Sequence, residues 1–198
     1  MRVISGQARG RKLKAPKGMK VRPTIDRVKE ALFNIIGPAI VESNFLDLYA
    51  GTGSIAIEAL SRGAALAVLV ERDQQNIRLI KENLLLCGLA AQSIIYHRNV
   101  QEALLELGQQ RRQFDFIFLD PPYGQGLVEP TLAGIMQARI LADGGLVIAE
   151  HGRREEICEA VQGLALKRQS NYGDTTLSFF KAVDKEVDDE DSGISGEF

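Results

Sequence analysis

Two hydrophobic rhythms alternate along this chain. Short apolar runs at residues 45–49, 66–70, 93–96, 114–119 and 145–150 are separated by stretches whose apolar positions recur every three to four residues, at 54–62, 74–87, 100–107, 127–139 and 155–161. The first rhythm is that of buried strands, the second that of helices with one apolar face. The run 114–119, with three phenylalanines, is the most apolar in the chain and reads as a central strand covered on both faces. Upstream, Val28, Ala31, Leu32, Ile35 and Ile36 fit one helical face, with Thr24 as a cap and Gly37-Pro38 as the stop. Residues 2–4 and 12–14 read as short strands flanking a Gly/Arg turn, and a loop is expected around Pro16, Gly18 and Pro23. Residues 165–169 and 176–181 have no helix between them and join through Tyr172-Gly173-Asp174, so they are expected to pair as an antiparallel hairpin.

Five strand–helix units and a closing hairpin predict an α/β fold. The expected form is a Rossmann-like, doubly wound, mostly parallel seven-stranded sheet with an antiparallel C-terminal strand. The expected parts are a small basic hairpin extension at 1–23, the α/β domain at 24–183, and an acidic disordered tail at 184–198.

Charge changes this picture more than composition does. The chain has 198 residues and a net charge of −2. Residues 1–29 carry ten Lys/Arg against Asp26 alone, a net +9, while residues 184–198 carry seven acids against Lys185, a net −6. Such segregation points to a polyanion at the basic end, with phosphate contacts expected from Arg9, Arg11, Lys12, Lys14, Arg22 and Arg27. Arg22 and Arg27 have other readings: contact with a cofactor carboxylate, or simple capping of the first helix. No apolar run approaches the ~20 residues of a membrane helix, and the basic N-terminus lacks the apolar core of a secretory signal. Cys87 and Cys158 show neither metal spacing nor a disulfide framework, and both fall in helical patterns as small core residues. A cytoplasmic monomer without a metal is expected.

The first strand of the α/β unit ends in Asp47-Leu48-Tyr49-Ala50-Gly51-Thr52-Gly53, and Glu71 and Arg72 end the second. Glycines at a strand-to-helix turn let backbone approach a ligand, and an acid at the end of the next strand can accept ribose hydroxyls. Together they predict a nucleoside cofactor. Gly51 to Ala56 nearly satisfies the dinucleotide fingerprint, so an NAD-dependent dehydrogenase is a rival. Asp47 favours S-adenosylmethionine instead, because a carboxylate repels a pyrophosphate and attracts a sulfonium and an ammonium. A tight turn with no ligand is the plain alternative.

After the fourth strand comes Asp120-Pro121-Pro122-Tyr123. The prolines fix the backbone and remove two N–H donors, leaving a cluster of acceptors followed by a flat ring. Such a site suits a heterocycle bearing an –NH2 group, its hydrogens held by Asp120 and backbone carbonyls while Tyr123 stacks on the ring. Alone, the tetrapeptide is a turn after a buried strand. In a doubly wound sheet it shares a crevice with the glycine loop. His97, His151 and Glu150 also lie near strand ends, where surface or satisfied-core positions compete with a site role.

The segment Asp47 to Gly53 resembles the first motif of class I methyltransferases, and Glu71 the acid of their second. The resemblance implies a methyl donor, S-adenosylmethionine, with Asn99 and Val100 beside its adenine. Asp120 to Tyr123 resembles the amino-methyltransferase tetrapeptide. The stretches Gly-Gln-Ala-Arg-Gly-Arg-Lys-Leu (6–13) and Arg-Pro-Thr-Ile-Asp-Arg-Val (22–28) resemble the bacterial small-subunit rRNA methyltransferase D family over about residues 1–183. That resemblance implies methylation of a guanine N2 in 16S rRNA, within a small-subunit particle. Adenine N6 or another amino group on DNA or RNA, and a non-catalytic RNA-binding module, are the alternatives.

Overall fold

The computed structural model describes residues 1–16 and 23–183. Arg22, the loop around Gly18, the side chain of Thr24 and the acidic tail lie outside the described residues. Helix α1 (Pro23–Ile36) passes through a 3-10 turn at Gly37–Ile40 into β1 (Asn44–Asp47), α2 (Ser54–Ser61), β2 (Leu66–Glu71) and α3 (Gln74–Cys87). A second 3-10 turn, Ala90–Gln92, leads to β3 (Ser93–His97), α4 (Val100–Gln109), β4 (Phe114–Leu119), α5 (Val128–Ala138) and β5 (Leu141–Gly152). The short β6 (Ala160–Val161), then β7 (Leu164–Tyr172) and β8 (Thr175–Ala182), close the chain.

The eight strands among the described residues form one sheet in the order β3-β2-β1-β4-β5-β8-β7-β6. The first five run parallel, and β8 inserts antiparallel between β5 and β7. The sheet is therefore the expected one with an eighth strand added. Strand alternation sends Phe45, Leu69, Phe116 and Phe118 to one face, where Leu32, Phe33, Leu60 and Ile80 cover them. Leu46, Val68, Ile117 and Leu119 face Leu104, Leu107, Leu132 and Ile135 on the other. Both faces being apolar explains why the parallel strands read as continuous hydrophobic runs. Capping matches the sequence as well: Asp73 accepts from the amides of Gln75 and Asn76 at 2.8 and 3.0 Å, and Gly88 closes α3 in the left-handed conformation (φ 71°).

Four expectations need correction. Residues 155–161 form no helix; they contain turn and bend, then β6, which pairs with β7 across a tight turn at Gln162-Gly163, both with positive φ (49° and 87°). Cys158 is exposed there, its amide held by Glu129 at 2.9 Å, whereas Cys87 does pack against the core at the end of α3. The N-terminal strands reduce to a single bridge, Arg2 to Lys12. That segment is also built into the domain rather than appended: Val3, Ala8 and Leu13 are buried in the core beneath α1 and α2. Lys29, counted in the positive charge of the N-terminal region, is withdrawn from the surface. It is 1% exposed and donates to the Arg2 carbonyl (2.6 Å) and to Ser54 Oγ (3.1 Å), with the Glu58 carboxylate at 3.6 Å.

Glu58 is the hub of this junction. Its two carboxylate oxygens accept the amides of Ile4 and Ser5 at 2.8 and 3.0 Å, and Arg62 Nε donates to it at 2.8 Å. Gly6 packs so closely on the end of α2 that a Cβ would overlap the Ser61 carbonyl. The N-terminal segment is thereby stapled to the helix that follows the glycine loop.

Candidate active site

An open cleft of about 1620 Å³ runs along the carboxyl ends of the parallel strands. It lies where the strand order reverses between β1 and β4, the ligand position expected of a doubly wound sheet. Tyr49, Glu71, Arg72, Asn99 and Val100 line one part of it; Asp120, Pro121, Pro122, Tyr123 and Glu150 line another. The two sequence signals, far apart in the chain, thus share one cavity.

The glycine loop shapes this cavity more than it lines it. Gly51 and Gly53 take positive φ (55° and 77°), a conformation that costs other residues. A Cβ on Gly53 would also sit 3.3 Å from Leu69 and 3.4 Å from Ile57 and Ile80. Ala50, Thr52 and Gly53 are buried; the Thr52 carbonyl accepts from Asn83 at 3.0 Å. Glu71 links loop and cleft: it accepts the amides of Gly51 (2.9 Å) and Asp73 (2.8 Å) and the Asn76 side chain (3.3 Å). Asn99 caps α4, its Oδ1 accepting the Glu102 amide at 3.0 Å, so its position at the cleft wall is fixed by helix geometry. Tyr49 is anchored by a 2.9 Å hydrogen bond between its hydroxyl and Thr131.

Asp47 sits behind the lining. It is 1% exposed, and neither of its carboxylate oxygens has a hydrogen-bond partner. Burial raises its carboxyl to about 7; the backbone amides of Ala56 and Tyr49 lie near enough to offset this without closing a hydrogen bond, and the charges of Glu71 and Glu150 add to the rise. Glu150 is likewise raised by burial to about 7, with the Tyr123 hydroxyl opposing the shift. Asp120 is accessible from the cleft, yet its deep position, then the charges of Glu150 and Asp47, hold its carboxyl well above the usual range. Three carboxyls strained towards neutrality form a site that a cation would relieve. The donor set fits the sulfonium and ammonium of S-adenosylmethionine and opposes a dinucleotide pyrophosphate.

Tyr123 is 47% exposed, so its ring is open to a ligand. Its hydroxyl donates to Glu150 Oε1 at 3.2 Å and lies 3.3 Å from Thr175 Oγ1. The structure ties to the ring both Glu150, a strand-end residue with two readings from sequence, and Thr175, which no sequence motif marks. The turn Gly173-Asp174 also lines the cleft, although from sequence it was only a hairpin connection. His151 is 2% exposed and satisfied by Ser178 Oγ (2.8 Å) and the Gly152 carbonyl (3.0 Å), and His97 is an exposed residue held by the Arg72 carbonyl. Neither lines the cleft.

The described N-terminal cations expected to meet phosphate do not line the cleft. Arg9, Arg11, Lys12 and Arg27 are exposed, and Lys14 pairs with Glu82 at 2.9 Å across an exposed surface. Arg9 and Arg27 meet in a second, smaller pocket.

A family model described as "Conserved hypothetical protein 95" matches residues 1–181. Bacillus subtilis YlbH is 40% identical over 91% of this chain and 98% of its own. Ribosomal RNA small subunit methyltransferase D of Escherichia coli is 39% identical over 76% of this chain and 74% of its own. The solved structure of Escherichia coli yhhF superposes with a TM-score of 0.81 at 34% identity, covering 92% of this chain and 97% of that one. This chain is a member of the ribosomal RNA small subunit methyltransferase D family, an S-adenosylmethionine-dependent methyltransferase.

Proposed function

We propose that this enzyme methylates the exocyclic N2 of a guanine in 16S rRNA, acting as a cytoplasmic monomer on a small-subunit particle. The observation that carries the reading is the convergence of Asp120, Glu150 and Tyr123 in one cleft with Glu71 and Tyr49. When bound, S-adenosylmethionine supplies a sulfonium-activated methyl carbon that an amine displaces, leaving S-adenosylhomocysteine. Everything else falls to the chain's own residues. Asp47, Tyr49, Glu71, Arg72, Asn99 and Val100, with the loop Ala50-Gly51-Thr52-Gly53, form and back the donor half of the cleft.

The acceptor half must activate a poor nucleophile, because the lone pair of a base amine is delocalised into its ring. Asp120 accepts one N–H and draws the nitrogen towards tetrahedral geometry. Pro121 and Pro122 contribute no competing donors. Tyr123 stacks on the extruded base, positioned by Glu150 and Thr175. Positioning supplies much of the rate, and Asp120 stabilises the cationic amine until its proton leaves to solvent. The basic segment, with Arg9, Arg11, Lys12 and Lys14, grips RNA phosphates outside the cleft.

The deciding test is tritiated methyl transfer into small subunits from a strain lacking this gene, followed by nucleoside analysis. N2-methylguanosine is the expected product; a methyl on carbon or on ribose would leave the acceptor cluster without an amine to activate.

The carboxyl cluster predicts how cofactor affinity depends on pH. Burial pushes the carboxyls of Asp47 and Glu150 up to about 7, well above the ordinary carboxylate range. Their contribution to stability is fully present below about pH 4 and is lost as pH rises through about 7. A cation favours the ionised forms, so S-adenosylmethionine should bind about tenfold tighter at about pH 8 than at about pH 6. S-adenosylhomocysteine, lacking the sulfonium charge, should show a shallower rise. Calorimetric titrations with parallel slopes for the two ligands would detach the sulfonium from this cluster.

A further inference from the structure

The second pocket, about 380 Å³, lies beside the first turn of α1 and under the N-terminal segment. Arg2, Arg9 and Arg27 supply its positive charge, Asp26 and Glu30 its acceptors, and Val3 part of its apolar wall. None of the three arginines forms an ion pair among the described residues. Three cations against two acids leave too little surplus for a bare phosphate trap. Anion donors, acceptors and an apolar wall together match a whole nucleotide.

Asp26 makes the match more specific. Its carboxylate lines the pocket, and the oxygen turned inward, Oδ1, has no hydrogen-bond partner, so no bond to that oxygen holds the group in place. The pocket is rigidly framed, because buried Lys29 holds the Arg2 carbonyl and lies close enough to Asp26 to feel its charge. Helix α1 also joins this pocket to the methyl-transfer cleft: Asp26 and Arg27 line the pocket, while Val28 lines the cleft. The two openings thus share one helix, so a single RNA strand crossing α1 can reach both.

We infer that this pocket captures a second, unstacked nucleotide of the RNA strand that delivers the target base, with Arg2, Arg9 and Arg27 on its phosphate and Asp26 accepting from an N–H of its base. The inference rests on the rRNA reading of the cleft. It assigns the enzyme a second contact point that selects the RNA independently of the base being methylated.

The test uses the full chain, a small-subunit rRNA transcript for filter binding, and under-methylated small subunits for turnover. Arg9→Gln with Arg27→Gln should weaken transcript binding at least about fivefold and reduce the salt slope by about one. Asp26→Asn is the sharper probe. Removing a negative charge beside a polyanion tightens binding unless that carboxylate accepts a hydrogen bond from the RNA. The expected result is severalfold weaker binding and a raised KM, with kcat and the salt slope unchanged. Unchanged or tighter binding by Asp26→Asn overturns the inference. Unaltered S-adenosylhomocysteine binding and thermal midpoint show that the variant is folded; if it is not, Arg27→Gln alone decides, and a wild-type salt slope there overturns the inference equally. Filter binding is read apart from methyl transfer, so an enzyme that binds the transcript but methylates something other than N2 sinks the cleft reading while still testing the pocket.

Discussion

Asp120→Ala is expected to lower methyl transfer by about 10³-fold while leaving cofactor and RNA binding within about threefold of wild type. Asp120 is the carboxylate at the end of β4 that the cleft exposes, and no hydrogen bond inside the protein uses it among the described residues. Its removal takes away the acceptor that aims the amine, yet leaves the loop that holds the nucleoside untouched. Single-turnover measurements on saturated enzyme separate the two effects, and a change confined to KM would show that Asp120 binds rather than activates. Tyr123 separates stacking from positioning at the same site. Tyr123→Ala loses the ring and should lose most activity. Tyr123→Phe keeps the ring but frees Glu150 and Thr175, which the hydroxyl holds at 3.2 and 3.3 Å, so an intermediate loss of about tenfold is expected. A stacking role alone would let Phe retain much of the activity, because Phe keeps the ring; the hydroxyl's partners add the further loss. Those partners come from β5 and the start of β8, 27 and 52 residues away, and no spacing rule joins them.

That case shows where the sequence was legible and where it was not. Strands β1 to β5 and helices α2 to α5 follow from local rhythm, because a parallel sheet buries both faces and writes apolar runs directly into the chain. Asp73 and Asn99 mark helix starts by their own chemistry. Residues 155–161 misled because Ile157, Ala160 and Val161 share a helical spacing, while the decisive signal was the Gln162-Gly163 turn, which folds 160–161 back onto β7. Pairing with a neighbouring strand outweighed local propensity there. Net charge is equally silent on where a cation lies: Lys29 counts towards the basic end, yet it is buried beside Glu58, 29 residues away on α2. The motif places Asp47 at the cofactor site, and the structure puts it just behind the cleft lining, 1% exposed.

Lys29→Met should be the most destabilising single substitution proposed for this chain, at about 3–5 kcal/mol. The methylene stem is replaced by one of similar length, so packing is largely kept. What is lost is the ammonium that holds the Arg2 carbonyl and Ser54 Oγ and lies 3.6 Å from Glu58. Glu58 is 0% exposed and would be left with Arg62 as its only cation partner among the described residues. A loss of that size corresponds to a fall of about 10 °C in the thermal midpoint for a chain of this length. The fall should be shared by the N-terminal segment: amide exchange at Ile4 and Ser5, which donate to Glu58, should accelerate before that of the central strands. Adding Glu58→Gln should restore part of the midpoint, because Gln removes the stranded charge and its single carbonyl keeps an acceptor for one of those two amides. Equal additive losses in the double variant would mean that the two groups stabilise the protein separately, and the basic segment would then be held by its apolar anchors, Val3, Ala8 and Leu13, rather than by the buried pair.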